Sequence, residues 1–341
     1  MQHSPLVLVT GASGFLGSNI VDQLLASNYR VRGTARPSAA ERLKEGYSSF
    51  GERFQVTVLN NFDEDDLTAA VDGIYALIHV AWVFPPEGSR AKMSEIAVKG
   101  VQRLSQAALA AGAKKIVVTS GIGGLVMIPN MFKDRTIGID ENPNWTLEDA
   151  LKPGTPAPAI YSMSKYLADS AMIEFGKAHP EVQVSIIHPP WTYGPYGHGQ
   201  VIKSFQVGTN HRINALINGP KGRLLPKQGF NPPQFCHVAD AARAHVLALE
   251  APPSPTGPRR VIAVAGAFTW RQAVAHLAKA RPELKDRLPV IPDEPDEFAF
   301  AKFDVSSAAE IGLTEYIGWE MTVEDTVDDI LKREAELKEA T

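Results

Sequence analysis

Apolar positions along this chain of 341 residues follow two alternating patterns. Short, largely apolar runs recur at residues 6–9, 31–34, 54–59, 75–80, 116–120 and 182–188. Between them, apolar side chains return at one-turn spacing, as at Leu16, Ile20 and Leu24, and longer helical stretches cover 91–111 and 161–178. The first pattern is that of strands buried on both faces, the second that of amphipathic helices. Their alternation predicts an α/β fold with a doubly wound parallel sheet and right-handed crossovers. Ligands in such sheets bind beyond the carboxyl ends of the strands, so chemistry is expected there.

Two segments break the rhythm. Residues 127–159 hold five prolines and little periodicity, the mark of a long excursion. From His188 to about residue 235 the chain is rich in proline, glycine and aromatic residues, before a helix (237–249) and a strand (260–264) resume the pattern. Three units follow: 1–188 with 236–264 carrying the sheet, a smaller discontinuous unit of 189–235 with 265–322, and a C-terminal helix in 323–341. That last helix, over 323–339, is highly charged and is expected to be solvated on most of its surface.

Composition narrows the classes. Hydrophobic residues at 44% and charged residues at 21% suit a soluble globular protein, and a net charge of −4 gives no general attraction to nucleic acid or anionic membrane. The single cysteine, Cys236, excludes an internal disulfide and a Cys-rich metal site and reads as buried filler. No bound metal is expected. The first residues lack a basic region followed by an apolar stretch, and no apolar run approaches the roughly 20 residues that span a bilayer. A cytoplasmic protein is the expectation.

The first apolar run leads directly into Gly11, Gly14 and Gly17, and these into the first amphipathic helix. Strand, glycine turn and helix together aim backbone N–H groups and a helix dipole at a ligand's phosphates. Glycine is required where a side chain would block the turn, the approaching pyrophosphate or helix–strand packing. The spacing is GxxGxxG, and Gly11, Ser13, Gly14, Phe15, Leu16 and Gly17 are the expected contacts of a dinucleotide. Tyr161 and Lys165 lie four residues apart at the start of a helical stretch, hence on one face. A lysine ammonium there is expected to stabilise tyrosinate and lower the phenol's pKa. Such a phenol can give a proton to a carbonyl oxygen while hydride reaches the carbon.

In these features the chain resembles the extended short-chain dehydrogenase/reductases, and within them the NADPH-dependent carbonyl reductases and dihydroflavonol-reductase-like enzymes. The resemblance spans nearly the whole chain. It rests on the glycine turn at 11–17, Val-Arg-Gly-Thr-Ala-Arg at 31–36, Ile-His-Val-Ala at 78–81, Val-Val-Thr-Ser at 117–120, Tyr161 with Lys165, Pro189 through Tyr-Gly-Pro at 193–195, and the stretch beginning at His237. It implies a Rossmann-type sheet with a C-terminal substrate-binding region, and a Lys165 that binds the nicotinamide ribose as well as tuning Tyr161. Arg36 stands where the adenosine 2′ position is expected, after Gly33, Thr34 and Ala35, which offer no carboxylate; NADP(H) is therefore expected over NAD(H). Asn60 and Asn61 stand where the family has an acidic and an apolar residue near the adenine. Ala81 would leave room for the dinucleotide, and Pro189 and Thr192 would flank the carboxamide.

The chain departs from the family at one position: Gly121 stands where a catalytic serine is usual. Ser120, Thr119 or a water would have to replace it, with Ser120 carried as the catalytic candidate. Trp82, Val83, Phe84, Ile122, Met127, Trp191, Phe205 and Phe235 suggest an apolar pocket, with Trp82, Phe84, Ile122, Met127 and Trp191 as the substrate candidates. Arg212 and Arg223 are loose candidates for a sugar-nucleotide diphosphate. The expected partner is a small hydrophobic carbonyl compound, reduced reversibly by a monomer or homodimer. A nucleotide-sugar epimerase or dehydratase, a hydroxysteroid dehydrogenase and a non-catalytic NADP-binding regulator are the alternatives on the same fold.

Overall fold

The computed structural model describes residues 4–82, 92–200, 205, 208–227, 233–294 and 299–339. Its strands are β1 (Leu6–Thr10), β2 (Arg30–Ala35), β3 (Phe54–Val58), β4 (Ala76–His79), β5 (Lys115–Thr119), β6 (Thr136–Ile137), β7 (Gln183–His188), β8 (Trp191–Tyr193), β9 (Gln234–His237), β10 (Arg259–Ile262), β11 (Gly266–Ala267) and β12 (Lys302–Phe303). Among the described residues, seven of them form one parallel sheet in the order β10-β7-β5-β4-β1-β2-β3. The order reverses direction between β1 and β4, which opens a crevice at their carboxyl ends. The apolar runs of the sequence are these strands, each found within two residues of its expected ends.

The helices are α1 (Phe15–Ala26), α2 (Pro37–Gly46), α3 (Thr68–Val71), α4 (Met93–Ala110), α5 (Leu147–Leu151), α6 (Ala157–Ala178), α7 (His211–Ile217), α8 (Val238–Glu250), α9 (Trp270–Ala280), α10 (Ser306–Ala309) and α11 (Trp319–Glu339). Alternate residues of β1 serve opposite layers. Val7 and Val9 pack with Ile20 and Leu24 of α1 and Ala242 of α8, while Leu6 and Leu8 pack with Leu104 of α4 and Met172 of α6. That two-faced burial is why β1 reads as an unbroken apolar run.

Helix α6 starts four residues before the expected stretch, because Pro156 and Pro158 lie at its N-cap and first turn, where proline's fixed φ is an advantage. The excursion over 127–159 is not empty of structure. It carries β6, paired parallel with β12, and α5, which Thr146 and Asp149 close with a capping box. Met131 and Ile137 bury it against Ile122, Leu125 and Ile262.

A separate apolar cluster joins Ile213, Phe235, Phe268 and Val274 to α11. The final helix departs from its expected solvation: Val323, Val327 and Ile330 are fully buried on one face, spaced four and three residues apart. Several of its charges flank that face and bond to the rest of the protein: Asp329 accepts from the Tyr196 amide at 3.1 Å and from Arg333 at 2.9 Å, and Glu334 pairs with Arg287 at 2.9 Å. Among the described residues no helix is long and apolar enough to cross a membrane.

Candidate active site

The glycine turn forms a cradle made of backbone. Gly11 has φ +68°, a left-handed conformation, and a Cβ there would lie 3.0 Å from the Cα and N of Ala81. A Cβ on Gly17 would lie 2.1 Å from the carbonyl oxygen of Gly11. The turn is tied to the neighbouring strands. The amides of Gly11 and Ala12 donate to Thr34 Oγ1 and O (3.3 and 3.2 Å), and those of Val80 and Ala81 to Thr10 Oγ1 (both 3.1 Å). Gly14 is the N-cap of α1, no side chain caps that helix, and no acidic residue occupies its first turn. Such an end accepts an anion, and the residues present fit a dinucleotide pyrophosphate.

At the end of β2, Arg36 is exposed at the N-cap of α2, after the buried Thr34 and Ala35, and it makes no ion pair with a described residue. After β3, the amides of Asn60 and Asn61 both donate to Asp65 Oδ2 (2.6 and 3.1 Å), and Asn61 Nδ2 donates to Glu64. The Asn61 side chain is thus engaged within its own loop. Phe62, which belongs to no sequence motif, sits edge-on to His79 at 5.5 Å and with Ala81, Trp82 and Gly100 lines a small cleft beside the cradle.

Tyr161 and Lys165 lie on one face of α6, as their spacing requires. Trp82 joins them: its indole meets the Tyr161 ring edge-on at 6.0 Å, and Lys165 Nζ lies 3.5 Å from an indole ring centroid. Lys165 Nζ also donates to the carbonyl of Thr119 at 2.9 Å. The tuning of the phenol corrects the sequence expectation. Burial, followed by the charge of Asp169, pushes the Tyr161 phenol up to about 12. Lys165 Nζ lies 5.8 Å from the Tyr161 ring centre and is directed at the Thr119 carbonyl and the Trp82 face. Burial pulls Lys165 itself down, against the opposing pull of Asp169.

The two hydroxyls that could replace the usual serine are both engaged. Ser120 Oγ donates to Asp169 Oδ2, on the α6 side of the sheet. Thr119 Oγ1 bonds His245 Nε2 at 2.7 Å, on the α8 side. His245 Nδ1 donates to the Ala241 carbonyl, so Nε2 is the acceptor and the threonine donates. Gly121 has an extended backbone, and a Cβ there would meet only the Pro189 carbonyl, at 3.5 Å. The position therefore has room for a side chain and lacks one.

Asp169, one turn beyond Lys165 on α6, stands outside every sequence motif. The only local signal was its i+4 spacing from Lys165. Of the substrate candidates, Trp82 lies against the Tyr–Lys pair, Trp191 lies under the Arg212 guanidinium at 4.1 Å, and Met127 is exposed. Ile122, 5% exposed, packs in the apolar cluster beneath the excursion. Phe205 and Phe235 belong to the apolar cluster that packs against α11. Val83 and Phe84 lie outside the described residues. Pro189 accepts the Ile122 amide at the end of β7, and Thr192 is buried on β8 opposite Cys236. Arg223 donates to the backbone carbonyls of Ala215, Leu216, Pro220 and Arg287, a structural engagement.

Residues 7–263 match the family model described as the NAD dependent epimerase/dehydratase family. Ketoreductase sphI of Aspergillus fumigatus is 29% identical over 345 residues, covering 97% of this chain and 99% of that protein. Aldehyde reductase 2 of Sporidiobolus salmonicolor is 28% identical over 350 residues, covering 98% and 97%. The crystal structure of Gre2 in complex with NADPH from Candida albicans has the same fold, with a TM-score of 0.84 at 24% identity over 96% of this chain and 99% of that one.

Proposed function

The chain belongs to the NAD dependent epimerase/dehydratase family, and from that premise we propose that it is an NADPH-dependent oxidoreductase that reversibly reduces a hydrophobic ketone or aldehyde to an alcohol. The carrying observation is a two-residue link: Ala81 abuts the glycine cradle while its neighbour Trp82 abuts Tyr161 and Lys165. Phosphate binding and proton chemistry thereby share one crevice. The relatives named ketoreductase and aldehyde reductase support reduction over epimerisation.

The bound dinucleotide supplies hydride to the carbonyl carbon. The protein's part is as follows. Backbone amides at the start of α1 hold the pyrophosphate, and the Arg36 guanidinium reads the 2′-phosphate. Lys165 holds the nicotinamide ribose, with Asn60, Asn61, Ala81, Pro189 and Thr192 lining the rest of the cofactor groove. A phenol pushed up to about 12 stays protonated at neutral pH, so Tyr161 enters the reaction as the acid and gives its proton to the carbonyl oxygen. With Ser120 and Thr119 engaged elsewhere and glycine at 121, polarisation of that oxygen rests on Tyr161. Trp82, Trp191 and the exposed Met127 give the substrate side an apolar character, which favours aromatic or extended aliphatic carbonyls.

Replacing Tyr161 by Phe removes the proton donor and little volume. We expect carbonyl-dependent NADPH oxidation to fall by about 10²–10⁴-fold, the usual worth of a positioned acid, with NADPH affinity by calorimetry unchanged. Turnover at the wild-type rate in Tyr161→Phe would sink the mechanism. Tightly retained cofactor with no net oxidation across a panel of carbonyls would point to the epimerase reading.

A further inference from the structure

Beneath the Tyr–Lys pair lies a cluster of buried polar groups that proton donation and cofactor binding leave unexplained. Tyr161, Lys165 and Asp169 succeed one another at four-residue intervals along α6. Asp169 is 3% exposed, and its Oδ2 accepts from Ser120 Oγ at the end of β5. His188, at the end of β7, brings Nδ1 to 3.7 Å from the same oxygen and directs it at the Gly121 carbonyl at 3.4 Å. Arg260 on β10 adds a positive charge facing Asp169. A Cβ on Gly124 would lie 3.1 Å from both Asp169 Oδ2 and Ser120 Oγ, so the pair is closed over by backbone that has no room to spare.

A buried carboxylate is costly unless it is paired and hydrogen-bonded. We propose that Asp169, held by Ser120, is the positioning residue of the site: its carboxylate is the buried counter-charge of Lys165. The inference rests on the reading of Lys165 and Tyr161 as the reductive pair. It gives Ser120 a function distinct from the one its sequence position suggests. Its hydroxyl fixes a carboxylate two turns below Tyr161 instead of touching the substrate.

The electrostatics support this assignment. Burial drives Lys165 toward its neutral form, and Asp169 is the group that opposes it. Burial likewise drives Asp169 toward protonation, opposed first by the Ser120 hydrogen bond and then by Lys165 and Arg260. Among the described residues, the other titratable groups around Lys165 are Tyr161 on its own helix, His79 on β4, His188 on β7 and His245 on α8. The three histidines are held well below their usual range by burial, at about 3, 3 and 4, and so carry no charge at neutral pH. Among the described residues, Asp169 is therefore left as the source of negative charge for the ammonium.

The test follows the lysine itself. In protein carrying ¹³C-lysine, the Cε resonance that disappears in Lys165→Met reports the titration of Lys165 without any turnover. Loss of a nearby opposite charge shifts a pKa by 1–3 units. In Asp169→Asn the titration midpoint should therefore fall by about one pH unit or more, and the basic limb of the NADPH-oxidation profile should fall with it. Ser120→Ala, which keeps the carboxylate but removes its donor, should shift both in the same direction by less, and Asp169→Glu should restore them toward wild type. A merely structural carboxylate would lower the melting temperature and leave the midpoint in place.

An unshifted Lys165 midpoint in Asp169→Asn overturns the inference, and if that variant does not fold, an unshifted midpoint in Ser120→Ala overturns it instead. Full activity in Tyr161→Phe would overturn the reductase mechanism while leaving the lysine titration to be judged separately.

Discussion

The cofactor end and the proton end of this crevice are built from different material. Around Gly11, Gly14 and Gly17 the surface is backbone, tied to β2 and β4 by amide hydrogen bonds, and it has no spare volume. Around Tyr161 and Lys165 the surface is side chain, resting on a buried network of charge and hydroxyl groups, and at Gly121 it has space left over. The first end is governed by sterics, the second by electrostatics. Substitutions should divide accordingly: an added methyl group is severe in the cradle and harmless at Gly121.

The strongest way to break that comparison is Gly17→Ala. Its Cβ would sit 2.1 Å from a backbone oxygen that cannot rotate away. Overpacking of this kind costs about 1–3 kcal/mol or more, so we expect a clear drop in melting temperature and at least a tenfold weaker NADPH affinity by calorimetry. Wild-type values of both would show that the cradle is not sterically full. Next in size is Arg36→Ala. A hydrogen bond to a charged group is worth about 1.5–3 kcal/mol, so NADPH affinity should drop by roughly 10–100-fold while NADH affinity holds. Equal losses for the two cofactors would remove Arg36 from the 2′-phosphate.

The smallest effect is expected for Gly121→Ser, which sharpens the comparison. The backbone there is extended and the nearest atom to a new Cβ is 3.5 Å away. Stability should stay within about 0.5 kcal/mol of wild type. Because Ser120 and Thr119 are already engaged, the new hydroxyl should raise kcat for carbonyl reduction, measured by NADPH absorbance. A rate that does not rise would indicate that the substrate oxygen is already fully polarised without it.

Much of the frame is legible in the order of residues alone. The unbroken apolar run at β1 is that of a strand covered on both faces, and Tyr161 with Lys165 had to share a helix face. The misreadings came where local pattern and remote context disagree. Prolines at 156 and 158 signalled a loop but cap a helix, since the first turn has no amide to lose. The charged C-terminal helix looked solvated, although Val323, Val327 and Ile330 were spaced for burial against a surface assembled from 193–288. The packing of Ile122 was also hidden, because the excursion that buries it gives no periodic signal.

The sequence by itself determined the strand order's raw material, the glycine turn and the reactive pair, because each depends on spacings of two to four residues set by backbone geometry. Tertiary structure alone decided what those groups feel. Ser120 meets Asp169 across 49 residues of chain, Trp82 covers Lys165 from another strand end, and burial pushes Tyr161 upward where neighbour spacing suggested the reverse. Desolvation and charge act through space, so their sources lie wherever folding brings them, and no local pattern records that.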